Sequence, residues 1–159
     1  MPNAQIAAAI GEELCAVGAE VVVRPVGEVE SLAGYDALVL GSATRMGKLM
    51  PEATSFLKKN ASALGATRVA YFSAGIGPLE PDAEKREKET MRPLAEWRSV
   101  REPDAARAFA GKVDHLKLGF PWKQMLAYVK EGPMADGDHR DWDAIRAWAR
   151  EIAPSLQSA

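Results

Sequence analysis

Short apolar runs alternate along this chain with stretches of helical periodicity, and this alternation constrains the fold more than any single motif. Four runs predict strands, the last more weakly because alanine is a poor strand former: Glu20–Arg24, Ala37–Leu40, Arg68–Phe72 and Ala106–Ala110. Four stretches predict helices: Ala4–Val17, Pro51–Lys59, Pro81–Arg92 and Asp141–Ile152. The sequence therefore predicts an α/β fold, with a doubly wound, mostly parallel sheet between two layers of helices.

The composition favours one globular domain that covers residues 1–159. With 159 residues, 47% of them hydrophobic, the chain is long enough to bury a substantial core. Its single cysteine excludes an internal disulfide, and we find neither a leader peptide nor an apolar run of about 18 residues, so we expect a cytoplasmic protein. A net charge of −2 provides no broad field for nucleic acid, which we do not expect as a partner.

The start of the chain departs from the usual order of such sheets. A helix is predicted almost directly after Met1, where a strand normally delivers the chain to its first helix. The linker 26–36 is also barely long enough for a parallel crossover. We therefore expect the first strand, which would lie at the centre of the sheet, to be absent from this chain.

Two loops after predicted strands are the candidate binding site, because ligands of open parallel sheets bind beyond the carboxyl ends of the strands. The loop 41–48 has two glycines, two hydroxyls, a thioether and two cations, and the loop 73–78 is small and rich in glycine. Glycine permits close backbone approach, and Met46 and Ile76 supply soft apolar surface, which together suit a flat ring. The alternative is that these residues serve only the geometry of the turns.

Several motifs resemble one family. The stretch 35–48 (YDALVLGSATRMGK), followed by Pro51-Glu52-Ala53 and Phe56-Leu57, is similar to the flavodoxin-domain family that includes menaquinone-dependent protoporphyrinogen oxidases. The later stretches 72–75 (FSAG), 137–142 (GDHRDW) and 145–149 (IRAWA) resemble the same family. This resemblance extends over nearly the whole chain, from Ala4 to Ile152.

The resemblance implies a flavodoxin-like fold, redox chemistry and noncovalent binding of FMN. Its implied flavin contacts are Ser42, Ala43, Thr44, Arg45, Met46 and Gly47 in one loop and Ser73, Ala74, Gly75, Ile76 and Gly77 in the other. In the family a loop before the first helix wraps the phosphate, but here that place holds Met1-Pro2-Asn3, of which only Asn3 could contribute a polar contact. A misplaced start, a fragment and a lost cofactor are the three explanations, and we favour the first two.

The segment Leu116–Val129 combines aromatic, apolar and basic residues in the manner of interfacial helices. It predicts a peripheral contact with a membrane, at the inner face for a cytoplasmic protein, and in the resembling oxidases an extra segment near this position is associated with a hydrophobic electron acceptor. The alternative is a helix that packs its apolar side chains onto the sheet while the lysines extend into solvent.

Other kinds of site have little support. His115 and His139 do not stand at a zinc-ligand spacing, so no metal is expected. Cys15 is predicted on the apolar side of its helix, where a small buried residue is more usual than a nucleophile. Arg140, between Asp138 and Asp141, is interpreted as part of a network that caps the last helix. No catalytic side chain is predicted, because the flavin would carry the chemistry.

The leading hypothesis is an FMN-dependent oxidoreductase that passes electrons between a reduced small molecule, such as a porphyrinogen, and a quinone-like acceptor. A noncatalytic flavodoxin that only carries electrons is one alternative, and a cofactor-free binding module is another. A homodimer is a further hypothesis, since an open sheet edge can pair with a second chain.

Overall fold

The computed structural model describes residues 2–45, 47–75, 82–113 and 137–157. The helices are α1 (Pro2–Ala16), α2 (Pro51–Lys59), α3 (Ala83–Met91), α4 (Ala95–Val100) and α5 (Trp142–Leu156). The strands are β1 (Ala37–Arg45), β2 (Lys48–Leu49), β3 (Arg68–Gly75), β4 (Ala105–Ala110), β5 (Lys112–Val113) and β6 (Gly137–Asp138). Short 3₁₀ helices occupy Val26–Glu28, Ala63–Ala66 and Arg92–Leu94. No described helix is both long enough and apolar enough to span a bilayer.

The main sheet has the order β2-β1-β3-β4, in which β1, β3 and β4 are parallel. The short β2 pairs antiparallel with the end of β1 and forms a hairpin with it. A separate antiparallel pair joins β5 to β6. The sheet is sandwiched between helices, so the predicted α/β class with a mostly parallel sheet is confirmed.

One face of the sheet is covered by α1 and α5. Their buried side chains pack on β3 and β4 in a single cluster: Ile6, Ala9, Ile10, Ala70, Phe72, Ala74, Phe109, Ile145, Trp148, Ala149, Ile152 and Leu156. Across the top of this layer, Arg146 pairs with Glu12 and Glu13, and Arg150 pairs with Glu13. Asp141 caps α5, as its position predicts, by accepting a hydrogen bond from the Ala144 N–H at 3.0 Å.

The other face is covered by α2 and α4, and Trp97 of α4 lies fully buried at its centre. The Trp97 indole N–H donates to the Thr54 hydroxyl at 2.9 Å, and its ring meets Tyr71 edge to face at 5.2 Å. The Tyr71 hydroxyl donates to the Arg101 carbonyl at 2.8 Å, and burial raises the pKa of Tyr71 to about 12. The sequence did not predict α4, because its six residues are too few to show a helical period.

A glycine inside β1 makes room for an aromatic ring of β3. Gly41 lies opposite Phe72 in the parallel register, and a Cβ placed on Gly41 would lie 1.9 Å from the Phe72 Cζ. Phe72 in turn contacts Phe109 and Trp148 at centroid distances of 6.3 and 6.5 Å. The glycine is thus a packing requirement of the core rather than the end of the strand.

The predicted strand at Glu20–Arg24 is wrong. The structure places residues 19–25 in irregular chain, with Val22 and Val23 52% and 49% exposed. The side chains of Val21 and Val23 still contact α1, because a Cβ built on Gly11 would lie 2.8 Å from Val23 and 3.3 Å from Val21. A strand needs a hydrogen-bonding neighbour, and the described residues provide none next to this stretch or along the outer edge of β1 over Ala37–Ala43.

Candidate functional site

The carboxyl ends of β1 and β3 meet at one edge of the sheet, and this brings the two candidate loops together. Ser42 lies opposite Ser73, and Ala43 lies opposite Ala74. One step further, a Cβ on Gly75 would lie 2.9 Å from the Thr44 Cβ, so only glycine permits this approach of the two strand ends. These residues of β1 and β3 are far apart in the sequence, and the parallel register of the two strands brings them together.

The strand β4 adds its own end to this edge. The Gly111 N–H donates to the Gly75 carbonyl at 2.9 Å, and the His139 N–H donates to the Gly111 carbonyl at 3.1 Å. A Cβ on Gly111 would lie 3.2 Å from the Gly75 nitrogen, so the two backbones are in close contact. The sequence analysis missed Gly111, although a glycine directly after a predicted strand is the same signal that identified Gly75.

The two predicted serines are parts of strands and not of loops. Ser42 is 1% exposed and Ser73 is 2% exposed, because β1 and β3 both continue past the points where the apolar runs end. The Ser42 hydroxyl donates to the Ala43 carbonyl at 2.8 Å and accepts from the Met50 N–H at 2.9 Å. Its role in the described structure is therefore to fasten the hairpin to the start of α2.

The predicted contacts that remain open to a ligand lie further out. Thr44, Gly47 and Gly75 are partly exposed, Arg45 is exposed, and Ala74 is buried. Ala43 is half-buried beside them. Within the described residues the Thr44 hydroxyl makes no hydrogen bond, so it is available to a ligand. Met46, Ile76 and Gly77, and the segment 116–129, lie outside the described residues.

The hairpin between β1 and β2 places positive charge next to Thr44. Arg45 and Lys48 stand directly opposite each other across it, and Gly47 takes a left-handed φ of 76° in the turn. Arg92, which the sequence analysis did not assign to the site, lies against this turn, since a Cβ on Gly47 would be 2.2 Å from an Arg92 guanidinium nitrogen. No local sequence signal connects residues 47 and 92.

Asn3 lies half-buried in the first turn of α1. Within the described part of the chain its side chain makes no hydrogen bond. Pro2 has no N–H to contribute to the first turn of α1. Among the described residues, therefore, no hydrogen bond joins the Asn3 side chain to the strand-end residues described above.

The Arg140 side chain interacts with other residues of the protein. Its guanidinium pairs with Asp138 at 2.8 and 2.6 Å, lies over the Trp142 ring at 4.7 Å and contacts Gln5 of α1. The hydrogen bonds from Arg140 lower the pKa of Asp138 to about 2. Asp141 caps α5 separately, so Arg140 connects α1 to the start of α5 through Gln5 and Trp142 and is not itself the cap.

Two further features of the described residues lie outside the candidate site. A shallow groove of about 390 Å³ between α1 and α5 is lined by ion-paired side chains such as Glu12 and Arg146. Cys15 is exposed, so its predicted burial is wrong; it lies in the last turn of α1. Within the described ranges no cluster of His, Cys, Asp and Glu is arranged to hold a metal ion.

The chemistry of the exposed groups suits the polar edge of a conjugated ring. Thr44 supplies a hydroxyl, the partly exposed Gly75 offers backbone without a side chain, and Arg45 supplies positive charge. A flat heterocycle with carbonyl and nitrogen atoms along its edge needs such a combination of donors and close backbone. The residues present therefore fit a flavin ring.

Comparison with known proteins agrees with this chemistry. A family model described as Flavodoxin domain matches residues 3–140. Protoporphyrinogen IX dehydrogenase (quinone) of Escherichia coli strain K12 is 26% identical over 163 residues, which cover 94% of this chain and 87% of that protein. The protein of the same name from Escherichia coli O157:H7 aligns with the same identity and the same coverage. No solved structure matches the chain significantly.

Proposed function

Because the chain belongs to the flavodoxin-domain family, we propose that it is an FMN-dependent oxidoreductase that passes electrons from a reduced substrate to a quinone-like acceptor. A flavodoxin-like redox role is the coarse function that the family and its relatives support. We propose a porphyrinogen as the substrate, on the similarity to the dehydrogenase of that name.

The observation that carries the proposal is the contact between Thr44 and Gly75 at the carboxyl ends of neighbouring parallel strands. That position is where open α/β sheets bind their ligands. It combines a hydroxyl that has no hydrogen-bond partner among the described residues, glycine backbone and an adjacent cation, and this fits the polar edge of the ring.

The bound FMN would supply the redox chemistry. The Thr44 hydroxyl and the backbone beside Gly75 would hold the polar edge of the ring, and Gly75 would keep that approach free of side chains. The charge of Arg45 or Lys48 would stabilise negative charge near the same edge. None of these residues needs to act as an acid or a base.

The direct test is an FMN titration of this chain, followed by flavin fluorescence and by thermal unfolding. Ligand at about 100 times its Kd adds about 2.7 kcal/mol to the free energy of unfolding, which raises the Tm of a domain this size by about 5–10 °C. Thr44→Val should weaken binding about fivefold through the lost hydrogen bond and leave the unliganded Tm unchanged.

Ser55→Ala is the matched control, since Ser55 is an exposed hydroxyl on α2 without a hydrogen bond in the described structure. If the chain binds no FMN under these conditions, the proposal fails and a cofactor-free binding module becomes the better description. If FMN binds and Thr44→Val behaves like Ser55→Ala, the assignment of the ring to this edge is wrong.

The loaded protein separates the enzyme from the electron carrier. We expect it to oxidise a porphyrinogen with the quinone menadione as acceptor and with no other protein added. Reduction or oxidation that occurs only through an added reductase would identify a carrier instead and would refute the proposed enzyme.

A further inference from the structure

The strand β1 has backbone groups that point away from the rest of the sheet. The Arg68 N–H donates to the Asp36 carbonyl at 3.1 Å, so the backbone groups of Asp36 face β3. The direction of these groups alternates along a strand, and three residues therefore point their N–H and C=O groups outward: Ala37, Val39 and Gly41. Among the described residues no strand pairs with them there. We call these three residues the open edge.

The open edge lacks the features that usually protect such a position. Free edges commonly carry charges or proline, and residues 37–43 have neither, whereas β4 on the opposite side of the sheet carries the exposed Arg107. Five of the seven residues 37–43 are partly exposed, although Val69–Ala74 of the neighbouring β3 are all buried. This strand has the apolar composition of an inner strand and the exposure of an outer one, which favours pairing with a further strand.

The chain that leads into β1, residues 17–36, exposes apolar side chains next to this strand. Its first part contacts Gly11 of α1 through Val21 and Val23. Its later part packs on the cluster of the opposite face through three apolar residues: Val26, Val29 and Leu32. The segment thus passes from one face to the other on the β1 side, since α1 and α2 both contact β1. Every large apolar side chain that is exposed among the described residues belongs to it: Val17, Val22, Val23 and Tyr35.

The same segment is acidic, and we call residues 17–36 the acidic segment. Its four acidic residues and one basic residue give a net charge of −3, whereas the whole chain has −2. All five are exposed and form no ion pair within the described structure: Glu20, Arg24, Glu28, Glu30 and Asp36. A second copy of the chain at the open edge would bring two acidic segments together, which like charges disfavour. A strand with basic residues at its ends would instead be attracted.

We propose that the open edge binds an extended segment of another protein, which is apolar along about six residues and flanked by lysine or arginine. Hydrogen bonds to the backbone of the open edge provide the affinity, as in other cases where a peptide adds a strand to a sheet. The added strand has to be apolar on both faces, because the sheet is covered by helices on both sides. The acidic segment selects the charge at its ends, and binding requires no flavin.

The probes are two fluorescent peptides with the same core of about six valine and isoleucine residues, the length of a typical strand. One has lysines at both ends and the other has glutamates, and fluorescence anisotropy measures their binding to the full chain. The lysine peptide should bind at least about tenfold more tightly at low salt, and the difference should shrink as salt is added. The lysine peptide with a methylated backbone should not bind, because it has no N–H groups to donate.

Glu28→Gln/Glu30→Gln should weaken binding of the lysine peptide about threefold and leave the Tm unchanged, because both side chains are exposed and unpaired in the described structure. Asp143→Asn/Glu151→Gln is the matched control. It removes two exposed acidic residues from α5, which packs on β3 and β4, and it should not change the affinity. If the lysine and glutamate peptides bind equally well, the acidic segment does not select a basic partner and the proposal is wrong.

Hydrogen exchange of single amides, followed by NMR, shows where the peptide binds. In the free chain the amides of the open edge should exchange rapidly, whereas those of Leu38, Leu40 and Ser42, which face β3, should be protected. The lysine peptide should slow exchange at the open edge at least about tenfold. Binding without this protection, or protection already present in the free monomer, would overturn the proposal. If protection instead appears as the protein concentration rises and light scattering gives twice the mass, a second copy occupies the open edge and the proposed partner is wrong.

Discussion

Replacing Gly41 by alanine tests the packing of the core against a single methyl group. The added Cβ would lie 1.9, 2.2 and 2.3 Å from three atoms of the Phe72 ring, whereas carbon atoms in contact normally stay about 3.5–4.0 Å apart. The ring would have to move by about 1.5 Å, but Phe109 and Trp148 confine it and Phe72 is 2% exposed.

The cost of such overpacking is typically 1–3 kcal/mol, and the short distances put Gly41→Ala at the upper end, about 3 kcal/mol. For a domain of this size that loss lowers the Tm by about 6–12 °C. Urea unfolding gives the free energy directly, and the slope against urea should not change. Gly65→Ala is the control, because nothing lies within 4 Å of a Cβ built there, and it should change stability by less than about 0.5 kcal/mol.

A double-mutant cycle identifies the contact itself. Phe72→Leu alone should cost about 1.5 kcal/mol by leaving a small cavity. In the background of Phe72→Leu, Gly41→Ala should be nearly neutral, so that the double variant loses about 3 kcal/mol less than the sum of the single variants. The explanation is refuted if the two losses simply add, or if Gly41→Ala is as mild as Gly65→Ala.

Three further predictions concern polar groups. Since the pKa of Asp138 is lowered to about 2, its contribution to stability is complete above about pH 4 and is lost as the pH falls through 2. Because the side chain is partly exposed, we expect this contribution to be less than about 1 kcal/mol. Asp138→Asn should therefore make the Tm depend less on pH in this range. Since the pKa of Tyr71 is raised to about 12, stability should fall from pH 10 to 12 by up to about 1.4 kcal/mol per pH unit, a slope that Tyr71→Phe removes and that phenolate absorbance at 295 nm reports. Thr54→Val should cost about 1–2 kcal/mol in urea unfolding by leaving the Trp97 N–H unpaired, and an equal loss for the neighbouring Ser55→Ala would contradict this reason.

The elements with strong local signals were predicted well. The bounds of α2 agree at both ends, because Pro51 fits the first turn and the lysines fit the last. Asp141 caps α5 as expected, and β4 begins within a residue of its predicted start. In each case the determining interaction lies within a few residues of the chain.

The predictions that failed depend on distant contacts. Gly41 suggested the end of a strand, since glycine weakens strands, but Phe72 makes glycine necessary in the middle of β1. For the same reason Ser42 and Ser73 were assigned to loops, although both are buried in strands. The valines of Glu20–Arg24 have the composition of a strand, yet the described residues provide no neighbour with which to pair.

The sequence predicted the edge of the sheet at which the candidate site lies, but not all of the residues that form it. The rule for parallel sheets placed both loops at one edge, and the register of β1 and β3 brings Thr44 and Gly75 into contact there. The involvement of Arg92 could not be predicted, because it depends on where the chain returns after α3. The binding of FMN itself stays a prediction until the titration is made.

The outer edge of β1 has a consequence for how the protein behaves in concentrated solution. The eight residues Ala37–Thr44 are mostly apolar and carry neither charge nor proline, and apolar, uncharged segments readily stack into aggregates when their backbone is accessible. The described residues leave Ala37–Ala43 without a strand on that side. Preparations of this chain should therefore lose material to β-rich precipitates sooner than an equally stable protein with charged sheet edges.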